Sequence, residues 1–376
     1  MPTKRIYLSP PTINTLDREA LNRAYESGWV APLGPDVDDF EKNISNYLDV
    51  KNAVALSSGT AGLHLALLSI GVKPGDTVIV PTLTFAATAF AVKYTNAIPI
   101  FVDCDPTTWT IDTKLLESYL ESADESPKAI ISVDIFGRPC NFDELNRISN
   151  KFGIPLISDS AESLGAIYNE KPVGSQALIS IFSFNGNKII STSGGGMLVS
   201  NVVQIASKVR YLSTQARENV HWYEHSEIGF NYRLSNLLAA LGSSQLKRLN
   251  ETILLRQKIQ ERYAKNFESE NELLIITNPT WGKSNYWLTN LTIDHDFSEN
   301  IRDDIKKSLD LNDIESRFVW KPMHLQPIFC DSESVLNNNS EKIFKSSLCL
   351  PTGTDLSGTD IDRISEIIIK CMRVYR

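Results

Sequence analysis

The sequence predicts an α/β fold with a mixed, mainly parallel sheet about seven strands wide. Three observations carry that expectation. From residue 52 onward, short apolar runs alternate with amphipathic stretches of helical period. Several of these runs are continuously apolar, as strands buried on both faces must be. Polar residues with useful chemistry follow the runs directly, where open α/β sheets place their ligands.

The expected strands are Ala53–Leu56, Thr77–Val80, Ile98–Val102, Ala129–Val133, Pro155–Ser158, Leu178–Phe184 and Gly196–Ser200, with helices between them at 60–70, 86–94, 112–122, 142–152 and 203–213. Upstream, residues 12–26 read as a helix with Leu16, Leu21 and Tyr25 on one side. A breaker-rich loop, Ser27 to Pro35, separates it from a second helical pattern at 36–48, carrying Val37, Phe40, Ile44, Tyr47 and Leu48. After Ser235 the pattern changes. Asn236 to Phe267 reads as one long helix or two, leading into strands near Leu273–Ile276 and Tyr286–Ile293 and a helix near 300–309. A last helix follows Ser357-Gly358-Thr359, with Ile361, Ile364, Ile367, Ile368 and Cys371 as its stripe and Thr359 and Asp362 at capping-box spacing. This predicts a large domain over 1–245 and a smaller α/β domain over 246–376, with the N-terminal ~25 residues packed on the smaller one.

Bulk properties narrow the class. With 42% hydrophobic and 22% charged residues, the 376-residue chain is composed like an ordinary soluble protein. A net charge of -8 argues against nucleic acid as the main partner. The five cysteines, Cys104, Cys140, Cys330, Cys349 and Cys371, are scattered without a CxxC, which fits a reduced cytoplasm. Met1 to Tyr7 shows no apolar signal core, and the apolar run from Leu63 to Val72 is too short and too interrupted to span a membrane.

Five stretches carry chemistry. Ser57-Ser58-Gly59-Thr60-Ala61-Gly62 joins the first strand to a helix, where free amides and small hydroxyl residues bind phosphate or simply cap the turn. Phe85, after the second strand, can stack on a planar ring or pack in the core. Asp159, at the carboxyl end of a strand, can pair with a protonated pyridine nitrogen or cap the following turn; Glu162 lies in the same turn. Lys188 sits in a polar loop between two apolar runs, followed by Gly194-Gly195-Gly196. A lysine beside buried strands can act as an amine nucleophile, and one on a surface loop does nothing of the kind. Ser183 could add a hydroxyl to the phosphate site. Ile228 to Ser235 is a polar approach to the long helix. Taken together, a phosphate cup, a ring stacker, a carboxylate and a lysine at the ends of successive strands are what pyridoxal 5'-phosphate requires.

At this point the chain resembles the DegT/DnrJ/EryC1/StrS sugar aminotransferases over essentially its whole length. The carrying residues are Ser57 to Ala61, Pro81 to Phe85, Asp159 to Gly165, Ser183 to Gly196 and Asn231 to Ser235. The resemblance implies the type I aminotransferase fold, pyridoxal phosphate as cofactor, and a homodimer with shared active sites. It implies that Lys188 forms the Schiff base, Asp159 meets the pyridine nitrogen, and Glu162 contacts the ring hydroxyl. Gly59, Thr60 and Ser183 then match phosphate binders, and Asn231 reaches the phosphate of the partner subunit.

A narrower resemblance, to the bacillosamine-pathway transaminases, is carried by Leu8 to Pro11, Trp29 to Pro35, Ser213 to Asn219, Trp320 to His324 and Leu350 to Thr354. It implies a UDP-linked 4-keto-6-deoxy-N-acetylglucosamine as acceptor, with dTDP-4-keto-6-deoxyglucose as the alternative, L-glutamate as donor, and a role in surface glycan (lipopolysaccharide or O-antigen) biosynthesis. Pro32, Arg217, Lys321 and His324 are the substrate contacts it suggests. Dehydratases of the broader family carry histidine where this chain keeps Lys188. A regulator that binds the cofactor without catalysis would carry an added basic segment, which is not seen. His221-Trp222-Tyr223-Glu224-His225 matches an inverted zinc-protease pattern, but no other protease context accompanies it, and no metal site is expected.

Overall fold

The computed structural model describes residues 5–294 and 299–375, so Met1 to Lys4 of the N-terminal stretch lie outside the described residues. In chain order the strands are β1 (Asn52–Leu56), β2 (Thr77–Pro81), β3 (Ile98–Val102), β4 (Ala129–Val133), β5 (Leu156–Asp159), β6 (Ile167–Tyr168), β7 (Lys171–Pro172) and β8 (Ile179–Ser183). There follow β9 (Gly196–Ser200), β10 (Leu273–Ile275), β11 (Gly282–Lys283), β12 (Thr289–Ile293), β13 (Arg317–Phe318), β14 (Ser334–Val335) and β15 (Ser347–Leu350).

The main sheet runs β1-β9-β8-β5-β4-β2-β3-β14. Pairings from β8 to β14 are parallel, while β9 lies antiparallel to both β8 and β1. The sheet is therefore mixed and mainly parallel, with eight strands rather than seven. The extra strand, β14, is two residues long and pairs with Phe101 and Val102. Two residues have no period to read, and the edge of β3 alone makes them a strand. Central β4 is buried at every position, which is why its sequence shows no alternation. A four-stranded antiparallel sheet, β10-β12-β15-β13, forms a second layer with its own apolar cluster, including Ile259, Leu291, Leu348 and Ile364. Ile6 belongs to that cluster and bridges to Ile314. The helix Thr15–Glu26 packs instead on the helix Asn236–Leu246.

Several elements depart from expectation for identifiable reasons. In Thr15–Glu26 the buried residues are Asp17 and Ala24, and Leu16 and Tyr25 are exposed. Asp17 accepts from Ser244 at 2.7 Å and pairs with Arg248 at 2.6 Å, so a polar contact sets which face turns inward. The long C-terminal pattern is two helices, Asn236–Leu246 and Leu249–Asn266. Tyr286 has a φ of +58°, which strands do not adopt, so β12 begins only at Thr289. The last helix is capped by Ser357 with Asp360, not by Thr359 with Asp362. Asp362 is held by Arg262 at 2.5 Å. Among the described residues no helix is long and apolar enough to cross a membrane.

Candidate active site

The first sheet strand ends at Leu56 and the chain turns at once into the helix Gly59–Ser69. Ser58 caps it, its Oγ accepting from the Ala61 N–H at 3.0 Å and its carbonyl from the Gly62 N–H at 3.1 Å. The Gly59 and Thr60 amides have no acceptor within the helix, and both residues line a cavity of about 290 Å³. Ser183, the last residue of β8, faces them: a Cβ on Gly59 would sit 3.1 Å from the Ser183 Cβ. Gly196 is in register with Leu56 on one side and Ser183 on the other. A Cβ there would come within 2.4 Å of the Ser58 carbonyl, so the cup closes only around a glycine.

Asp159 is the last residue of β5, one position beyond the expected strand end, and is buried. Its Oδ2 accepts from Thr88 Oγ1 at 2.7 Å and its Oδ1 from the Ala161 N–H at 3.2 Å. Burial pushes this carboxyl above its ordinary range, and the Thr88 hydrogen bond opposes the shift. Glu162 is also buried and raised by desolvation, opposed first by the Lys188 charge and then by the Phe136 N–H, which donates to Oε2 at 2.6 Å. Lys188 emerges from a turn in which its N–H donates to the Asn185 carbonyl at 2.9 Å. Its Nζ lies 3.6 Å from Glu162 Oε1 and 4.1 Å from the centroid of the Trp287 ring. Phe85 does not pack in the core: it is 57% exposed, at the start of the helix Ala86–Tyr94, with its ring edge-on to Trp320.

Thus Gly59, Thr60, Phe85, Asp159, Glu162, Ser183 and Lys188 all line one cavity. Asn231 does not; it is exposed and bridges to Thr214. Pro32 and Arg217 are exposed and away from this cavity, with Arg217 over the Tyr223 ring. Lys321 is exposed but follows Trp320, which does line the cavity. His324 does not line the cavity; its Nδ1 lies 2.6 Å from Thr82 Oγ1 and its Nε2 3.3 Å from Glu341 Oε1. Thr88 and Trp287 were not anticipated as site residues. Thr88 lies in the first turn of the helix Ala86–Tyr94, its hydroxyl 2.7 Å from that of Thr84 just before the helix, and neither position carries a sequence pattern that marks it as part of the site. Nor does Trp287. His221 to His225 is irregular backbone rather than helix, so the two imidazoles do not share a helical face. The His225 Nδ1 meets the Gln215 carbonyl at 2.8 Å.

The sequence profile of the DegT/DnrJ/EryC1/StrS aminotransferase family matches residues 11–369. The chain belongs to this family. The aminotransferase is 42% identical to EpsN of Bacillus subtilis (strain 168), assigned as a pyridoxal phosphate-dependent aminotransferase, over 97% of this chain and 95% of that protein. It is 34% identical to the GDP-perosamine synthase of Caulobacter vibrioides, over 96% of each. Its fold matches the solved PLP-form of Spr1654, assigned as a sugar aminotransferase of Streptococcus pneumoniae, with a TM-score of 0.91, 26% identity, and 99% and 100% of the two chains covered. Pyridoxal phosphate is the cofactor. The residues present fit it. The glycine-walled cup offers free amides and a hydroxyl at one end, and a buried carboxylate and an amine stand further along the same cavity.

Proposed function

We propose that this aminotransferase moves an amino group from L-glutamate to C4 of a nucleotide-linked 4-keto-6-deoxy sugar, with UDP-4-keto-6-deoxy-N-acetylglucosamine as the acceptor. The observation that carries the reading is the convergence of Lys188, Asp159, Glu162 and the Gly59–Thr60–Ser183 cup on one cavity. When bound, pyridoxal phosphate supplies an aldehyde that carries the amino group and a ring that draws off the electrons freed at the donor Cα.

The chain's own residues do the rest. The Gly59 and Thr60 amides and the Ser183 hydroxyl hold the phosphate. Asp159 keeps a proton on the pyridine nitrogen, and Thr88 holds that carboxylate in place. Glu162 would accept from the ring hydroxyl and Phe85 would cover the ring. Lys188 would bond the cofactor at rest; once the donor amine displaced it, the freed Lys188 amine would take the proton from the donor Cα and deliver it to the cofactor carbon that had been the aldehyde. The acceptor sugar is aminated by the same proton transfers in reverse, and 2-oxoglutarate is the other product.

We infer a homodimer in which Asn231 completes the partner's phosphate cup. Its exposure outside its own cavity supports this, as do the exposed Val220, Trp222, Tyr223 and Ile228 nearby in sequence. Pro32, Arg217, Lys321 and His324 are proposed to act at the nucleotide end, Lys321 and His324 through the segment that begins at cavity-lining Trp320. The five unpaired thiols support a cytoplasmic setting, and surface glycan assembly is the proposed pathway class.

The dTDP-linked 4-keto-6-deoxyglucose remains the second acceptor, and the GDP-perosamine synthase relative adds GDP-linked sugars to the set worth assaying. The test is a parallel incubation of UDP-, dTDP- and GDP-linked 4-keto-6-deoxy sugars with glutamate, read by product mass. Amination of the UDP-linked sugar at the highest kcat/KM is expected. Preference for another nucleotide overturns the acceptor assignment, and dehydration without amination overturns the reaction.

A further inference from the structure

Distant parts of the chain converge on one carbonyl oxygen beside Lys188. The Asn187 oxygen accepts from Trp287 Nε1 at 2.6 Å and from Ser9 Oγ at 2.9 Å. Arg256 Nη1 donates both to that Ser9 Oγ, at 3.1 Å, and to the Trp287 carbonyl, at 2.6 Å. The same Trp287 presents its ring to the Lys188 Nζ at 4.1 Å. One tryptophan thus grips the lysine's loop through its indole N–H and faces the lysine's amine with its ring.

Arg256 is an expensive way to hold a serine and a carbonyl. It is 1% exposed, and among the described residues no carboxylate pairs with it. Burial pulls its pKa down to about 10, and its Nε has no partner. A buried cation without a counter-charge weakens the fold, so packing alone gives no reason for it. What it does accomplish is orientation. A lysine has a flexible four-carbon stem, and reactions lose rate steeply when a reacting atom is misplaced by an ångström.

We propose that Arg256, Ser9 and Trp287 form a positioning clamp on the Asn187 carbonyl that sets where the Lys188 amine stands. This rests on the reading of Lys188 as the cofactor-bonding residue. It also gives Ser9, from one of the stretches that carry the narrower resemblance, a role on the lysine side of the cavity.

The test uses full-length cofactor-free protein mixed with pyridoxal phosphate, following the absorbance of lysine-bonded cofactor, alongside the thermal midpoint of the cofactor-free protein. Ser9→Ala and Trp287→Phe each remove one donor to the carbonyl, and each is expected to slow capture about three- to tenfold. The double variant is expected to be slower than the product of the two effects, because the carbonyl then has neither donor. Arg256→Gln is expected to slow capture as Ser9→Ala does, while Ser9→Thr, which keeps the hydroxyl, captures at the wild-type rate. Capture at the wild-type rate by Ser9→Ala overturns the clamp, and so does equal slowing in Ser9→Thr. That pair decides even where Trp287→Phe or Arg256→Gln fails to fold. Lys188→Ala separates the two readings: if it still gives the lysine-bonded absorbance, the assignment of Lys188 fails rather than the clamp.

Discussion

Lys188 Nζ stands 3.6 Å from Glu162 Oε1, with the two side chains only 12% and 4% exposed. The pair brings together the loop after β8 and the loop after β5, two segments that meet only because β8 and β5 are hydrogen-bonded neighbours. At 3.6 Å the contact is an ion pair rather than a hydrogen bond, and it keeps the amine inside the cavity that the other site residues line. Lys188→Ala is expected to bring amino transfer below detection and to remove the absorbance band of lysine-bonded pyridoxal phosphate. Spectra and product mass check both, and normal turnover would refute the assignment.

The second prediction concerns the support under Asp159. Thr88→Val keeps the side-chain shape and deletes the hydroxyl that donates to Oδ2. A buried carboxylate that loses a donor is destabilised by about 1–3 kcal/mol. Weaker cofactor binding is expected, with a lower thermal midpoint, and Thr88→Ser should recover most of both. Titration with pyridoxal phosphate and thermal melts measure the effect.

Gly196 should tolerate no side chain. A methyl there meets backbone atoms of Ser58 and Gly59 at 2.4–2.6 Å, and backbone cannot step aside as a side chain can. Gly196→Ala is expected to cost about 1–3 kcal/mol of stability and to loosen the phosphate cup. Gly194→Ala, with nothing within 4 Å of the added carbon, should leave the thermal midpoint near wild type. Equal melting of the two variants would contradict this account.

Asp134 provides a pH prediction. It is buried at the carboxyl end of β4, accepting from the Cys140 N–H and from the Ser160 and Ser163 hydroxyls. Burial pushes its pKa from 3.8 up to about 6, against the pull of those hydrogen bonds. The folded state therefore holds this proton more tightly than the unfolded chain. Asp134's contribution to stability is fully present below about pH 4 and is lost as pH rises through about 6, a change on the order of 2–3 kcal/mol. Asp134→Asn should flatten the wild-type decline between those limits when melting is measured across them. A wild-type and variant difference that does not vary with pH would show that Asp134 does not titrate there.

Much of the site was legible because its residues lie at strand ends. A continuous apolar run announces a buried strand, and the polar residues that follow must emerge at the sheet's edge. That logic locates Gly59, Thr60, Asp159, Glu162, Ser183 and Lys188 without any tertiary information. Thr88 lies in the first turn of a helix, and its meaning depends on which strand end it faces. The two-residue β14 and the polar inner face of Thr15–Glu26 escape for a related reason: each is made by its partner, β3 in one case and Ser244 with Arg248 in the other.

By itself, the sequence determined the strand–helix alternation, the mainly parallel sheet and the set of side chains at its carboxyl edge, because local periodicity and position along the chain carry that information. The tertiary structure alone decided that Trp287, 100 residues from Asn187, closes on the neighbouring carbonyl and faces the Lys188 amine. It also decided that Ser9 and Arg256 meet there. Contacts between segments so far apart depend on how whole layers pack, and no local pattern in the chain encodes which residues that packing will bring together.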